Sequence, residues 1–280
     1  MQHEPLIDRL VALALEEDLA LGDVTTDATI DAERNGVGKL RAKQELVVAG
    51  VDVAMRVFRA VDSELRVDWQ VSSGQRVSAG TMLAFVHGRV CSLLRAERTV
   101  LNFMQRLCGT ATTTAAFMAA VEGTGAQVVD TRKTTPGWRV LEKEAVRDGG
   151  GRNHRLSLGS GILIKDNHID AGGGVAETVR RVRAYAPHGL AVEIEVRSLE
   201  ELEQALAVGV DIVLLDNMSL STLRDAVRRA KSAEVRSEAS GGVSLKTVRD
   251  IAETGVDFIS VGALTHSSPS MDIHMKVHLE

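Results

Sequence analysis

Residues 204–217, QALAVGVDIVLLDN, and residues 250–263, DIAETGVDFISVGA, follow one pattern: a helix end, a glycine, Val-Asp, then an apolar strand. A repeat of this kind is a supersecondary unit that buries its apolar face only against its neighbours. Four more apolar runs, at residues 127–129, 161–164, 192–196 and 235–238, alternate with helical segments. Strand and helix alternating over six units argue for a parallel, barrel-like sheet with helices outside. Helix starts are signalled as well. Ser198 with Glu201 forms a capping-box pattern, and Ser219 and Ser244 read as N-caps.

Unusual polar groups gather where these strands end. They are Asp130-Thr131-Arg132-Lys133, Lys165-Asp166-Asn167-His168, Glu195, Asp216-Asn217, Ser240-Gly241-Gly242, and Gly262 with His266. The C-terminal rim is where parallel barrels keep their chemistry. Residues 130–168 hold eight Lys/Arg against five Asp/Glu in a chain of formal net charge −5. Guanidinium forks in such a setting suit carboxylate or phosphate. The charges from Arg139 to Arg147 alternate in sign and read as a solvated helix face. Glycines at 241, 242 and 262 let backbone N–H groups approach a phosphate, with the helix starting near Ser244 adding its dipole, although plain turns also use glycine. Glu195 and Asp216 suit ribose hydroxyls or a hydrated Mg2+. A zinc site is not expected without a His/Cys ligand cluster.

The rest of the chain bounds the problem. At 280 residues and 44% hydrophobic it fills a sizeable core in one large domain or two ordinary ones. The acidic balance and eight aromatic residues argue against a nucleic-acid surface. Residues 1–19 form an amphipathic helix carrying Glu4, Asp8, Glu16, Glu17 and Asp18, neither a signal peptide nor a membrane span. Cys91 and Cys108, roughly 25 Å apart on one helical region, read as reduced thiols of a cytoplasmic protein. Residues 22–30, GDVTTDATI, read as a loop. A strand follows at 39–49, a helix at 51–61 and a strand at 65–70. Gly74, Gly80 and Gly88 mark tight turns between short strands, a scaffold like the hammerhead of biotinyl and lipoyl carriers but without the modified lysine. Helical spacing at 92–107 breaks at Gly109 and the threonines of 110–114, and a second helix leads to Gly123 and Gly125. By itself Arg98 reads as a surface charge.

Several motifs bear a family likeness: DTRKTTPG at 130–137, GGGRNHR at 149–155 and LIKDNHI at 163–169, with GDVTT at 22–26, AERTVLN at 96–102 and SVGALTHS at 260–267. In this order they resemble the quinolinate phosphoribosyltransferase family over almost the whole chain. The resemblance implies an N-terminal α/β sandwich-like domain (1–115, with the tail 268–280 packing back on it) and an incomplete, open α/β barrel with parallel strands (116–267). It implies transfer of a phosphoribosyl group from 5-phosphoribosyl-1-pyrophosphate to quinolinate, giving nicotinate mononucleotide, carbon dioxide and pyrophosphate in NAD biosynthesis. Ser240, Gly241, Gly242, Gly262 and His266 would hold the donor phosphate, and Glu195 and Asp216 its ribose and Mg2+. Arg132, His154, Arg155 and Lys165 would hold quinolinate, with Lys133 and Lys165 facing the pyrophosphate. Lys133, Lys165, Glu195 and Asp216 are the expected catalytic groups. Arg98 would reach in from the second chain of a homodimer. No organic cofactor is expected, because the pyridinium formed first can hold the electrons of decarboxylation.

The chain departs from the family pattern at residues 156–160, at Trp138 and at Asp148. Three other readings fit the residues: a paralogue associated with molybdate transport, a barrel aldolase with Lys165 as Schiff-base lysine, and a non-catalytic anion-binding regulator.

Overall fold

The computed structural model describes residues 4–279. Residues 1–3 of the expected first helix and residue 280 of the expected tail lie outside the described residues. The chain forms two compact units. The first takes the chain up to Ala115, Thr134–Gly150 and everything from Ser267, and the second takes Ala116–Lys133 and Gly151–His266. Thr134–Gly150, assigned above to the barrel, thus belongs with the first unit, because Leu141 and Ala145 are part of that unit's hydrophobic core.

The chain opens with α1 (Glu4–Leu19), α2 (Val24–Thr29), β1 (Asn35–Ala42), β2 (Leu46–Val47), α3 (Val51–Val61), β3 (Arg66–Trp69), β4 (Arg76–Val77), β5 (Met82–Arg89) and α4 (Val90–Ala120). It continues through β6 (Gln127–Val129), α5 (Arg139–Asp148), β7 (Ile162–Ile164), α6 (Asp166–Gly172), α7 (Val175–Tyr185) and β8 (Val192–Val196). The remaining elements are α8 (Leu199–Ala207), β9 (Ile212–Asp216), α9 (Leu220–Ser232), β10 (Arg236–Ser240), α10 (Val248–Ala252), β11 (Phe258–Ser260), α11 (Ala263–His266) and β12 (Ile273–Leu279).

In the first unit a four-stranded antiparallel sheet runs in the order β12-β1-β5-β3. Against it stands a core that includes Val53, Ala54, Val57 and Phe58 of α3 and Val100, Phe103, Met104 and Leu107 of α4. β1 begins four residues before the expected strand, since Asn35, Gly36 and Gly38 imitate a turn. Glycine is needed there for another reason: a Cβ on Gly36 would lie 2.6 Å from the His278 carbonyl of the paired strand. Residues 22–30 are not a loop. Asp23 accepts the Thr26 N–H and so caps a helix that β-branched residues disguise. Gly74 and Gly80 do turn the chain with positive φ, whereas Gly88 lies inside β5.

The expected break at Gly109 is absent, and α4 passes straight through it. There the backbone of Pro269 comes so close that a Cβ on Gly109 would stand 1.9 Å from its carbonyl oxygen. The neighbouring threonines are also accommodated: Thr114 donates to the Thr110 carbonyl one turn back, and Thr112 accepts the Val47 N–H. Both cysteines lie buried and free on α4, and burial pushes the Cys108 thiol up to about 12.

Helix α5 is not the solvated face that its charges suggested. Glu142 is 0% and Lys143 3% exposed. The Glu142 carboxylate accepts both the N–H and the hydroxyl of Thr135 and lies 3.7 Å from Arg106. At the end of the helix, burial first and then Glu144 push the Asp148 carboxyl up to about 6. Its folded value thus stands above the usual carboxylate range, so the native state loses stability as pH rises from about 4 to 6 and regains none above. Asp148→Asn is therefore expected to raise the melting temperature at pH 7.5, with the gain vanishing toward pH 4. A gain independent of pH in thermal melts would refute this.

The second unit is built on a parallel six-stranded sheet in the order β6-β11-β10-β9-β8-β7. The two edge strands, β6 and β7, are joined by no ladder among the described residues, so the barrel is open. The repeat quoted at the outset locks its register. Asp211, just before β9, accepts the N–H of Val192 at 2.7 Å, and Asp257, just before β11, accepts the N–H of Ser237 at 2.8 Å. The glycine two residues earlier, Gly209 or Gly255, ends the preceding helix with positive φ. Ser198 and Ser219 cap α8 and α9 as expected, although Glu201 reaches back to the Arg197 N–H and not to the cap itself. Ser244 is not a cap. Its hydroxyl and N–H meet the Thr247 side chain in a turn, and α10 starts only at Val248.

Candidate active site

The strands of the second unit all send side chains to one cavity of about 600 Å³. β6 leads to Arg132 and Lys133, β7 to Lys165, β8 to Glu195, β9 to Asp216, β10 to Ser240 and its two glycines, and β11 to Ser260. A cavity of this size takes two small substrates side by side.

Its cationic side is held by buried acceptors. Asp130, fully buried, accepts the His154 N–H at 2.9 Å and the Asn153 amide at 2.7 Å, so it pins the loop that carries Arg155. The Arg155 guanidinium donates to the Gly161 carbonyl at 3.3 Å. Burial and the facing Arg132 charge lower its pKa, with Glu193 opposing. Two like charges that line one cavity and repel each other favour an anion there. The Lys133 carbonyl accepts from Thr265, and its side chain packs by Gly262 next to His266. Gly262 and His266 therefore stand behind Lys133, outside the residues that line the cavity.

The carboxylates end the strands next to β7. Lys165 is ion-paired with Glu195, and the Asn217 amide donates to Asp216 at 2.7 Å. Asn217 adopts the left-handed conformation with φ 51°, and its N–H donates to the Ser240 carbonyl. Its side chain fills the space where Gly241 would carry a Cβ, 2.1 Å away. Gly241 and Gly242 both have positive φ. The Ser240-Gly241-Gly242 turn is accordingly shaped by Asn217 and not by a helix at Ser244.

His154 lines the cavity. Its Nδ1 accepts the Arg155 N–H at 2.7 Å and its Nε2 lies 3.0 Å from Glu193. Both ring nitrogens thus have partners within the protein. Arg98 stands exposed on α4 in the first unit and is not one of the cavity's lining residues. Asn217 lines the cavity as its place at the rim implies, whereas Glu238, also a lining residue, and Glu193, beside His154, are not among the expected site residues. Period-two reading points to both, since Glu193 shares a strand face with Glu195, and Glu238 with Ser240.

A model of the quinolinate phosphoribosyl transferase N-terminal domain matches residues 23–108, and one of the C-terminal domain matches residues 110–276. The chain belongs to the quinolinate phosphoribosyltransferase family. Among family members, a nicotinate-nucleotide pyrophosphorylase (carboxylating) from Mycobacterium leprae is 46% identical over 265 residues, 93% of each chain. A mitochondrial quinolinate phosphoribosyltransferase (decarboxylating) from Nicotiana glauca is 39% identical, over 98% of this chain and 83% of its own. The structure of the nicotinate-nucleotide pyrophosphorylase from Francisella tularensis superposes with a TM-score of 0.92 at 38% identity, covering 98% of this chain and 96% of its own. No helix of the described residues is long and apolar enough to cross a membrane.

Proposed function

We propose that the chain is a carboxylating nicotinate-nucleotide pyrophosphorylase, converting quinolinate and 5-phosphoribosyl-1-pyrophosphate into nicotinate mononucleotide, carbon dioxide and pyrophosphate for NAD synthesis. One observation carries the reading: four cations, three carboxyl side chains and a Gly-Gly turn, brought from well-separated parts of the chain, line a single cavity. Arg132 and Arg155 take the two carboxylates of quinolinate. Ser240, Gly241 and Gly242 take the donor phosphate, with Gly262 and His266 supporting Lys133 beside it.

The pyridine nitrogen displaces pyrophosphate at the anomeric carbon through an oxocarbenium-like state. Lys133 and Lys165 meet the charge that gathers on the leaving group, and Glu195 and Asp216 face the developing positive ribose. The all-oxygen donor pair Glu195 and Asp216, each with one oxygen already hydrogen-bonded or ion-paired inside the protein, fits a hydrated Mg2+ held through the other. Such an ion would add charge neutralisation at the pyrophosphate. Lys165 does not suit a Schiff base. It is half-exposed and paired with Glu195, whereas an imine-forming lysine needs a desolvated setting. The two buried free thiols suit a reducing cytoplasm.

The purified chain, given both substrates and Mg2+, is expected to make nicotinate mononucleotide and carbon dioxide. No turnover with either product would reject the reading. Gly241→Ala, forced against Asn217 at a positive φ, should raise the KM for the donor by about tenfold or more, while quinolinate binding holds. An unchanged donor KM would remove the turn from the phosphate site. Arg98 is assigned to the neighbouring chain's cavity in a homodimer. Mixed dimers of inactive Arg98→Ala and inactive Lys165→Ala chains should regain part of the activity; confirmed hybrids without recovery would rule out a shared site.

A further inference from the structure

Two buried carboxylates that the mechanism does not use stand beside His154, and one of them, Glu238, lines the cavity. Glu193 of β8 is 4% exposed and Glu238 of β10 is 3% exposed. Glu193 and Glu238 approach His154 Nε2 at 3.0 and 3.7 Å. One oxygen of each carboxylate, the Oε1, makes no hydrogen bond within the described residues. Burying two carboxylates in this way costs several kcal/mol unless charge is removed.

A metal ion would satisfy the carboxylates, but the histidine is turned the wrong way for one. Because His154 Nδ1 accepts the Arg155 N–H, the ring hydrogen stands on Nε2, the nitrogen that faces the glutamates. The cluster is therefore built around a proton. Glu193 receives the Nε2 hydrogen. Glu238, left facing it, takes a proton of its own. Burial and then Glu193 push the Glu238 carboxyl up to about 8, with His154 and Ser260 pulling it down and Asp130 adding to the rise.

Position gives this proton a use. Glu238 lines the main cavity together with Arg132, Lys133 and Lys165. It also lines a second cavity of about 240 Å³, walled mainly by apolar side chains such as Ile162, Leu190, Ile212 and Phe258. His154, Arg155 and Glu238 are common to both cavities. Spent acid on one side can be recharged by water from the other.

Resting on the reaction assigned above, we propose that Glu238 is the acid that supplies the proton replacing the lost carboxylate of quinolinate. After transfer, the bond from the ring carbon beside the nitrogen to its carboxylate breaks, carbon dioxide leaves, and the electron pair stays on carbon in the ring plane. That pair takes the proton of the Glu238 carboxylic acid. A C–H bond forms, Glu238 becomes a carboxylate, and a proton from solvent restores it. Net, one proton is consumed for each carbon dioxide released. The acid must stand where carbon dioxide departs, and Glu238 shares both cavities with Arg155, one of the two arginines that hold the carboxylates of quinolinate.

The test separates the two halves of the reaction in Glu238→Gln, which keeps shape but holds no transferable proton. With both substrates and Mg2+, pyrophosphate and carbon dioxide are followed together by rapid quench. E238Q should still release pyrophosphate and accumulate the dicarboxylated nucleotide, with carbon dioxide release slowed at least hundredfold more than pyrophosphate release. Equal slowing of both, or no change in either, overturns the role. If E238Q does not fold, Glu238→Asp carries the same test: the withdrawn acid should slow carbon dioxide release at least tenfold relative to pyrophosphate, and parallel slowing overturns it. A wild-type chain that releases no pyrophosphate removes the assigned reaction itself, and this role with it, a result distinct from either variant's.

Discussion

Lys165→Met is expected to lower kcat by about a thousandfold, about 4 kcal/mol of transition-state stabilisation, while the KM for either substrate moves little. Among the ion pairs of the described residues, Lys165 is the one Lys or Arg of the cavity paired to a carboxylate, Glu195 at the end of the neighbouring strand. In the resting protein that pair holds the ammonium in place. When pyrophosphate begins to leave, new negative charge develops within the ammonium's reach while Glu195 turns its charge to the ribose. An interaction that grows during the reaction lowers the barrier and leaves substrate binding nearly untouched. Methionine keeps the stem and its packing but removes the charge. A kcat loss under tenfold with a large rise in KM would show that Lys165 binds substrate and does no more.

Arg132→Ala and Arg155→Ala each raise the KM for quinolinate by about a hundredfold, about 2.7 kcal/mol, with the donor KM held within a factor of about three. Both guanidiniums line the cavity. Arg155 is partly buried and repelled by Arg132, a cost that a dianion repays on binding. Removing one arginine relieves the other and strands a substrate carboxylate. Steady-state kinetics with each substrate varied in turn separates these effects. Equal changes in both Michaelis constants would indicate a collapsed site and not a lost clamp. Lysine at either position should rescue poorly, since an ammonium cannot offer two parallel bonds.

The repeat at 204–217 and 250–263 made the parallel sheet legible, because a helix end, Gly and Val-Asp is a local signal with a local cause. The glycine closes a helix and the aspartate clamps the next strand over. Rim residues were legible for a similar reason: a polar residue where an apolar run stops has few structural excuses. What remained hidden depends on distant partners. Gly109 resembles a helix breaker until Pro269 lies against it. Glu142 and Lys143 resemble a wet face until Thr135 and Arg106 gather around the glutamate. Glu193 and Glu238 were counted inside apolar strands, where alternation sent them to the barrel interior and hid them. His154 reaches the cavity as expected, while its contacts with Glu193 and the Arg155 N–H have no signal in the sequence.

The central claim is that this cavity selects a pyridine bearing two adjacent carboxylates. Calorimetric titration of the wild-type protein with quinolinate and, separately, with nicotinate tests it most directly. Quinolinate is predicted to bind at least about a hundredfold more tightly, the value of one lost charge-assisted clamp, and equal affinity for the two would contradict the account.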